Sequence, residues 1–183
     1  TVNTQVLIPR PESETIIELT KTINPQTIID VGTGSGCLAV TAALELPDAH
    51  VIATDVSHNA LEVARANAYA HSVQIETKEL YLLEGLLEKT SPDLVIANLP
   101  YVPDHLITSP EIESEPHLAL FAGESGLDVY QSFWGQLSTT HHAPHYVITE
   151  SLESQHTHMQ HLAEQANYRL QKTELLIQLF KHA

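Results

Sequence analysis

Short β-branched runs alternate with longer amphipathic stretches along most of the chain. Thr27-Ile28-Ile29-Asp30-Val31 is predicted to be a buried strand, followed by a helix from Ser35 to Leu46 that stops before Pro47. Val51 to Asp55 is the next strand, and the Ala-rich stretch from Asn59 to Ala70 a helix with Ser57 as its N-cap. A third strand is expected from Glu79 to Leu83 and a fourth from Asp93 to Ala97, before a Pro-rich loop from Pro100 to Pro116. Leu127 to Leu137 has helical spacing, His145 to Glu150 reads as a fifth strand, and Glu153 to Ala166 as a helix. Near-continuous apolar strands between helices imply a parallel sheet covered on both faces, so the fold class is doubly wound α/β. Arg169 to Lys181 leaves no room for a crossover helix between strands near Leu170 and Leu175. A final hairpin should therefore place an antiparallel strand in the sheet. No repeat or linker interrupts residues 1–183, which read as one domain, and the Pro-rich stretch is expected to cap a site.

Composition narrows the setting. The chain has 183 residues, 43% of them hydrophobic, enough for one domain with a sizeable core. No apolar run approaches the ~20 residues that span a bilayer, and the first residues do not resemble a signal peptide. Cys37 is the single cysteine, which fits a reducing, cytoplasmic setting. Eight Lys and Arg face 23 Asp and Glu, for a formal net charge of −15, so nucleic acid is a poor default partner. Twelve His would cancel much of that charge in mild acid.

The first chemical motif is Asp30-Val31-Gly32-Thr33-Gly34-Ser35-Gly36, directly after a strand and opening a helix. Glycines allow positive φ and close backbone approach, and a helix N-terminus offers free N–H groups to a carboxylate or phosphate. Asp55 ends the next strand, where an acid can accept both ribose hydroxyls of a nucleotide. A dinucleotide fold wants G-x-G-x-x-G, which would put glycine where Cys37 stands. The carboxyl of Asp30 would repel a pyrophosphate and attract the ammonium of S-adenosylmethionine. The spacing therefore favours that cofactor over NAD.

The second motif, Asn98-Leu99-Pro100-Tyr101, ends the fourth strand, where the ligand crevice of such a sheet lies. The Asn98 side-chain carbonyl and the Leu99 backbone carbonyl, its chain direction fixed by Pro100, are two acceptors for a planar NH2 group. Tyr101 supplies a flat face for a planar amide or base. Holding both N–H bonds would tilt a conjugated nitrogen toward sp³ and aim it at a sulfonium methyl, which is catalysis by positioning.

Taken together these segments resemble the HemK/PrmC family, whose members methylate the glutamine of the Gly-Gly-Gln motif in peptide-chain release factors. The likeness includes Val6 to Glu14, residues 30 to 36, Asp55, residues 98 to 101 and Ala119 to Tyr130, and covers about residues 2 to 150. It implies a class I methyltransferase, Rossmann-like sheet. Asp30, Gly32, Thr33, Gly34, Ser35, Gly36, Asp55 and Asn98 would hold S-adenosylmethionine, with Leu86 at the adenine beside Glu84 or Gly85. Asn98, Leu99, Pro100 and Tyr101 would hold the substrate amide, with Asn98, Pro100 and Tyr101 as the catalytic set. Residues 9 to 14 would open a helix near the methionine end of the cofactor. The partner implied is a release factor, with no direct nucleic acid and no membrane. The family usually has Pro at the position of Leu99 and carries a helical N-terminal domain, so this chain reads as the catalytic domain alone.

Two other readings share parts of this logic. A nucleic-acid adenine methyltransferase also grips a conjugated NH2, and Asn-Leu-Pro-Tyr resembles the ribosomal RNA adenine dimethyltransferases. The net charge of −15 favours the protein substrate. A non-catalytic S-adenosylmethionine-binding module is the other. His141, His142 and His145, and His156, His158 and His161, have spacings a metal can use, but are read as solvated surface, and no metal is expected. Cys37 is expected to pack toward the sheet, Phe133 and Trp134 to fill the core, and Glu111, Glu113, Glu115 and His117 to form a solvated acidic loop.

Overall fold

A computed structural model describes residues 1–106, 116 and 119–183. Among them, β1 (Thr27–Val31), β2 (His50–Asp55), β3 (Glu76–Glu79), β4 (Leu94–Ala97), β5 (Tyr146–Glu150), β6 (Tyr168–Glu174) and β7 (Ile177–His182) form one sheet. Their order is β3-β2-β1-β4-β5-β7-β6. The first five strands are parallel, and β7 runs antiparallel between β5 and β6. The final hairpin turns at Leu175, whose φ of 51° is left-handed.

Alternate strand residues point to opposite faces. Ile28, Val51, Leu94, Ile96 and Ile148 meet α1 (Glu14–Ile23) and α2 (Cys37–Glu45) on one side. Ile29, Ile52, Val95 and Val147 meet α4 (Asp128–Thr139) and α5 (His156–Gln165) on the other, where Phe133 and Trp134 are fully buried. Between these, α3 (His58–Ala70) packs on α2 and the β2–β3 edge. Ser57 caps α3 by accepting from the Ala60 N–H at 3.2 Å.

The third strand departs from expectation. It runs from Glu76 to Glu79, and residues 81–89 form turns. The apolar Leu82, Leu83, Leu86 and Leu87 are buried because these turns tuck under the sheet. The edge strand pairs on one side only, so its polar side chains stay partly wet.

Candidate active site

The carboxyl ends of β1, β2, β4 and β5 converge at one crevice. After β1 the chain turns through Gly32, Gly34 and Gly36, all at positive φ. Gly36 is required by its surroundings. A Cβ on Gly36 would lie 2.8 Å from Ala64 Cβ and 2.9 Å from its Cα, so only glycine lets α2 start this close to α3. A Cβ on Gly34 would meet no atom within 4 Å and would project into open space.

The loop is held by two carboxyls. Asp55 Oδ2 accepts from the Gly34 N–H at 2.9 Å, and Oδ1 from the Ser57 N–H at 2.8 Å. Asp30, 1% exposed, accepts at Oδ2 from Thr33 Oγ1 at 2.6 Å and from the Ala39 N–H at 3.2 Å. Burial pushes its pKa up to about 7, against the opposing pull of those two hydrogen bonds. Asp30, Gly32, Gly34 and Asn98 line a cleft of about 540 Å³ together with Arg10 and Ser13.

At the β4 end, Asn98 Nδ2 donates to Glu150 Oε2 at 3.0 Å and to Ser13 Oγ at 3.2 Å. Ser13 Oγ in turn donates to Glu150 Oε2 at 2.9 Å, and Tyr101 Oη to Glu150 Oε1 at 2.9 Å. Glu150 ends β5 and is 1% exposed. Burial raises its pKa, while the Ser13 and Tyr101 hydrogen bonds pull it down. Tyr130 ties the two strand ends: its Oη lies 2.7 Å from the carbonyls of Ala97 and Glu150 and accepts from the Leu99 N–H at 3.3 Å. The Leu99 side chain is buried, and a Cβ on Gly32 would come within 2.9 Å of its Cδ2.

Behind this cluster, Gln155 Nε2 donates to the carbonyls of Tyr101 at 2.8 Å and Ser125 at 2.9 Å. Gly126, at φ 73°, completes the crossing, and a Cβ there would sit 2.3 Å from Tyr101 O and 2.7 Å from Gln155 Nε2. Gly126→Ala is therefore expected to destabilise the fold by on the order of 2 kcal/mol, through a left-handed non-glycine residue and a backbone clash. A urea midpoint equal to that of the parent chain would refute this.

The loop glycines, Asp30, Asp55 and Asn98 thus stand on neighbouring strand ends, as the sequence leads one to expect. Leu86 is buried, in the apolar cluster that also holds Leu82, Leu83 and Leu87. Cys37 is also placed differently from expectation. It is exposed on the cleft wall, and its thiol pKa is raised by partial burial and by the Asp30 carboxyl. The first turn of α2 presents this residue along the crevice, while Ala39 and Val40 take the buried positions. Ser13, buried at the end of the 3-10 turn Pro11–Ser13 that leads into α1, brings that segment to the site. Glu150 and Gln155 carry no motif in the sequence; their signal is only that two polar residues sit at or just past the mouth of an apolar strand. Glu111, Glu113, Glu115 and His117 lie outside the described residues. His141, His142, His145, His158 and His161 are exposed, whereas His156 is half-buried with Nε2 unpartnered among the described residues. No group of three His, Cys, Asp or Glu able to hold a metal occurs among the described residues.

This strand order, with a glycine loop after β1 and an acid ending β2, defines a class I S-adenosylmethionine-dependent methyltransferase fold. The solved ribosomal protein L11 methylase of Lactobacillus delbrueckii subsp. bulgaricus superposes with a TM-score of 0.68 at 20% identity, covering 95% of this chain and 81% of that one. The magnesium protoporphyrin IX methyltransferase of Synechocystis PCC 6803, solved with bound SAM, does so with a TM-score of 0.62 at 15% identity, covering 94% and 78%. A family profile described as ribosomal protein L11 methyltransferase (PrmA) matches residues 14–106, from α1 to just past β4. The release factor glutamine methyltransferase of Streptococcus pneumoniae is 41% identical over 136 residues, which are 71% of this chain and 48% of that protein. Further curated relatives carry the same name. The chain belongs to the HemK/PrmC family of release factor glutamine methyltransferases, and the PrmA profile covers the stretch that carries the glycine loop, Asp55 and Asn98. It spans about half the length of the curated relatives it matches.

The residues present fit S-adenosylmethionine. The open space over Gly34 leaves room for a ligand beside the loop backbone. The buried Asp30 carboxyl, which has no cationic partner among the described residues, suits an ammonium. The Asp55 carboxylate retains acceptor capacity beyond its two backbone contacts.

Proposed function

We propose that this chain acts as a catalytic domain that methylates the side-chain amide nitrogen of the glutamine in the Gly-Gly-Gln motif of peptide-chain release factors, with S-adenosylmethionine as donor. One observation carries the reading: Asn98 shares a cleft with Asp30 and the glycine loop, and both N–H bonds of its side chain are engaged away from substrate. Its carbonyl oxygen and that of the Leu99 backbone remain as acceptors for the two N–H bonds of a glutamine amide. The cofactor, when bound, supplies an electrophilic sulfonium methyl.

The residues of this chain do the rest by positioning. Asp30 faces the donor's ammonium and Asp55 its ribose. Asn98 and Leu99 O fix the amide plane, so that the nitrogen lone pair meets the methyl carbon in line. Pro100 sets the chain direction after Leu99, and Tyr101 packs beside the amide. No strong base is needed, because methylation makes the nitrogen acidic and the proton then leaves to water.

The net charge of −15 supports a protein substrate over RNA, since a basic protein surface is attracted where a phosphate backbone is repelled. No helix among the described residues is long and apolar enough to cross a membrane; the proposed translation-factor substrate supports a cytoplasmic reaction. Incubating the chain with methyl-labelled S-adenosylmethionine, a release factor and RNA decides the matter. Label in the release factor, lost when its glutamine is replaced, is the expected result; label in RNA alone would overturn the reading. Asp55→Ala is expected to weaken S-adenosylmethionine binding by on the order of 10²-fold, as two hydrogen bonds to a charged acceptor disappear. Equal affinity by calorimetry would remove the ribose assignment.

A further inference from the structure

An asparagine amide can present either its oxygen or its NH2 to a ligand, and the proposed chemistry works with only one of these. Something must hold Asn98 in the productive orientation. Among the described residues every group at its inner end is placed to accept. Glu150 Oε2 lies 3.0 Å from Nδ2. Ser13 Oγ, 3.2 Å from Nδ2, has its own proton directed to Glu150. Three donors, from Ser13, Asn98 and Tyr101, converge on the two Glu150 oxygens, an arrangement suited to a carboxylate.

We propose that Glu150 is the positioning residue of this site: it captures the Asn98 NH2 and so points the Asn98 carbonyl oxygen into the cleft, while the same carboxylate anchors Tyr101. A flipped Asn98 would set its oxygen 3.0 Å from Glu150 Oε2, acceptor against acceptor. Glu150 itself is fixed from behind, because Tyr130 Oη bridges its backbone carbonyl to that of Ala97 at 2.7 Å each. The β5 end thereby dictates which face of the β4 motif meets substrate. The catalytic half of this inference rests on the substrate reading above; the orientation of Asn98 does not.

Glu150→Gln separates the two. The amide keeps the shape but can donate, so Asn98 is free to flip. Turnover on the release factor is expected to fall on the order of 10²-fold with S-adenosylmethionine affinity within about twofold of the parent. Asn98→Asp alone, which sets two carboxylates face to face, should be inactive. The double variant N98D/E150Q should exceed both single variants, because the introduced glutamine amide would donate to one oxygen of the introduced aspartate and leave the other as acceptor. A merely structural role for Glu150 predicts a double variant no better than the worse single one. In parallel, ¹⁵N–¹H spectra of the whole chain report the Asn98 side-chain amide protons. They should exchange with water at least about tenfold more slowly than those of the exposed Asn3 and Asn59, and lose that protection in E150Q. Should E150Q not fold, Glu150→Asp, which withdraws the acceptor by one methylene, carries the same comparison. Unprotected Asn98 protons in the parent chain, full turnover in E150Q, or no recovery in the double variant each overturn the proposal. If the parent chain labels no release factor, the substrate reading fails and the exchange measurement still decides the orientation of Asn98.

Discussion

Asn98→Ala is expected to reduce methyl transfer to the release factor by on the order of 10³-fold while leaving S-adenosylmethionine affinity within about threefold. The two parts of that expectation have separate structural causes. The substitution deletes the side-chain acceptor but leaves the Leu99 backbone carbonyl, so in the proposed reading the amide nitrogen would lose one of two fixed contacts and with it the alignment of its lone pair. The cofactor cradle is held by bonds that do not involve Asn98: Gly34 N–H to Asp55, Ser57 N–H to Asp55, and Thr33 Oγ1 to Asp30. Nor does the variant leave an orphaned charge, because Glu150 still accepts from Ser13 and Tyr101. β4 stays paired to β1 and β5 through a ladder that ends at Ala97. Single-turnover rates with calorimetry on the same preparation check both halves. Unchanged turnover would remove Asn98 from the chemistry, and a collapse of cofactor affinity would mean that its main contact is with the donor.

How much of this is legible in the sequence depends on whether the signal is local. The strands Thr27–Val31 and Leu94–Ala97 are buried on both faces, so each reads as a continuous apolar run and falls within one residue of its predicted place. The glycine loop and Asp55 are equally plain, since a backbone turn and a strand-end acid each leave a mark at a single position. The final hairpin follows from chain length alone. β3 lies ahead of its expected place because the leucines after it belong to turns, and an apolar run does not say which element buries it. The inward placement expected of Cys37 assumes that an early position on α2 must face the sheet, whereas the helix starts at the cleft rim. Glu150 is invisible for a different reason. Its partners lie 137, 52 and 49 residues away in sequence: the β4–β5 register, Ala97 beside Thr149, brings Asn98 and Tyr101 to it, and the turn before α1 brings Ser13.

Asp30→Asn is the second large effect, and it should move stability and affinity in opposite directions. Burial raises the Asp30 pKa from 3.8 to about 7, so between those values the folded chain holds a proton that the unfolded chain has released. Stability contributed at this site is therefore greatest below pH ~4 and is lost as pH rises toward ~7. Asparagine removes that ionisation cost while its carbonyl can still accept from Thr33 and Ala39. Urea midpoints of D30N should accordingly exceed those of the parent chain at about pH 8 and approach them near pH ~4. Affinity should change the other way. In the proposed reading the buried carboxylate neutralises the donor's ammonium, and asparagine would put an NH2 where the second carboxylate oxygen was. Binding of S-adenosylmethionine to D30N should weaken by on the order of 10²-fold at about pH 7.5. In the parent chain the same linkage gives affinity a pH dependence. It should fall below pH ~7, by up to about tenfold per unit, as Asp30 takes up a proton. It should fall again above pH ~8, where the amino group of the ligand loses its own. D30N should lose the acidic limb and keep the alkaline one. An affinity that stays flat from about pH 5 to 7 in the parent chain, or a D30N variant that binds as tightly, would show that Asp30 braces the loop through Thr33 and Ala39 and takes no part in holding the donor.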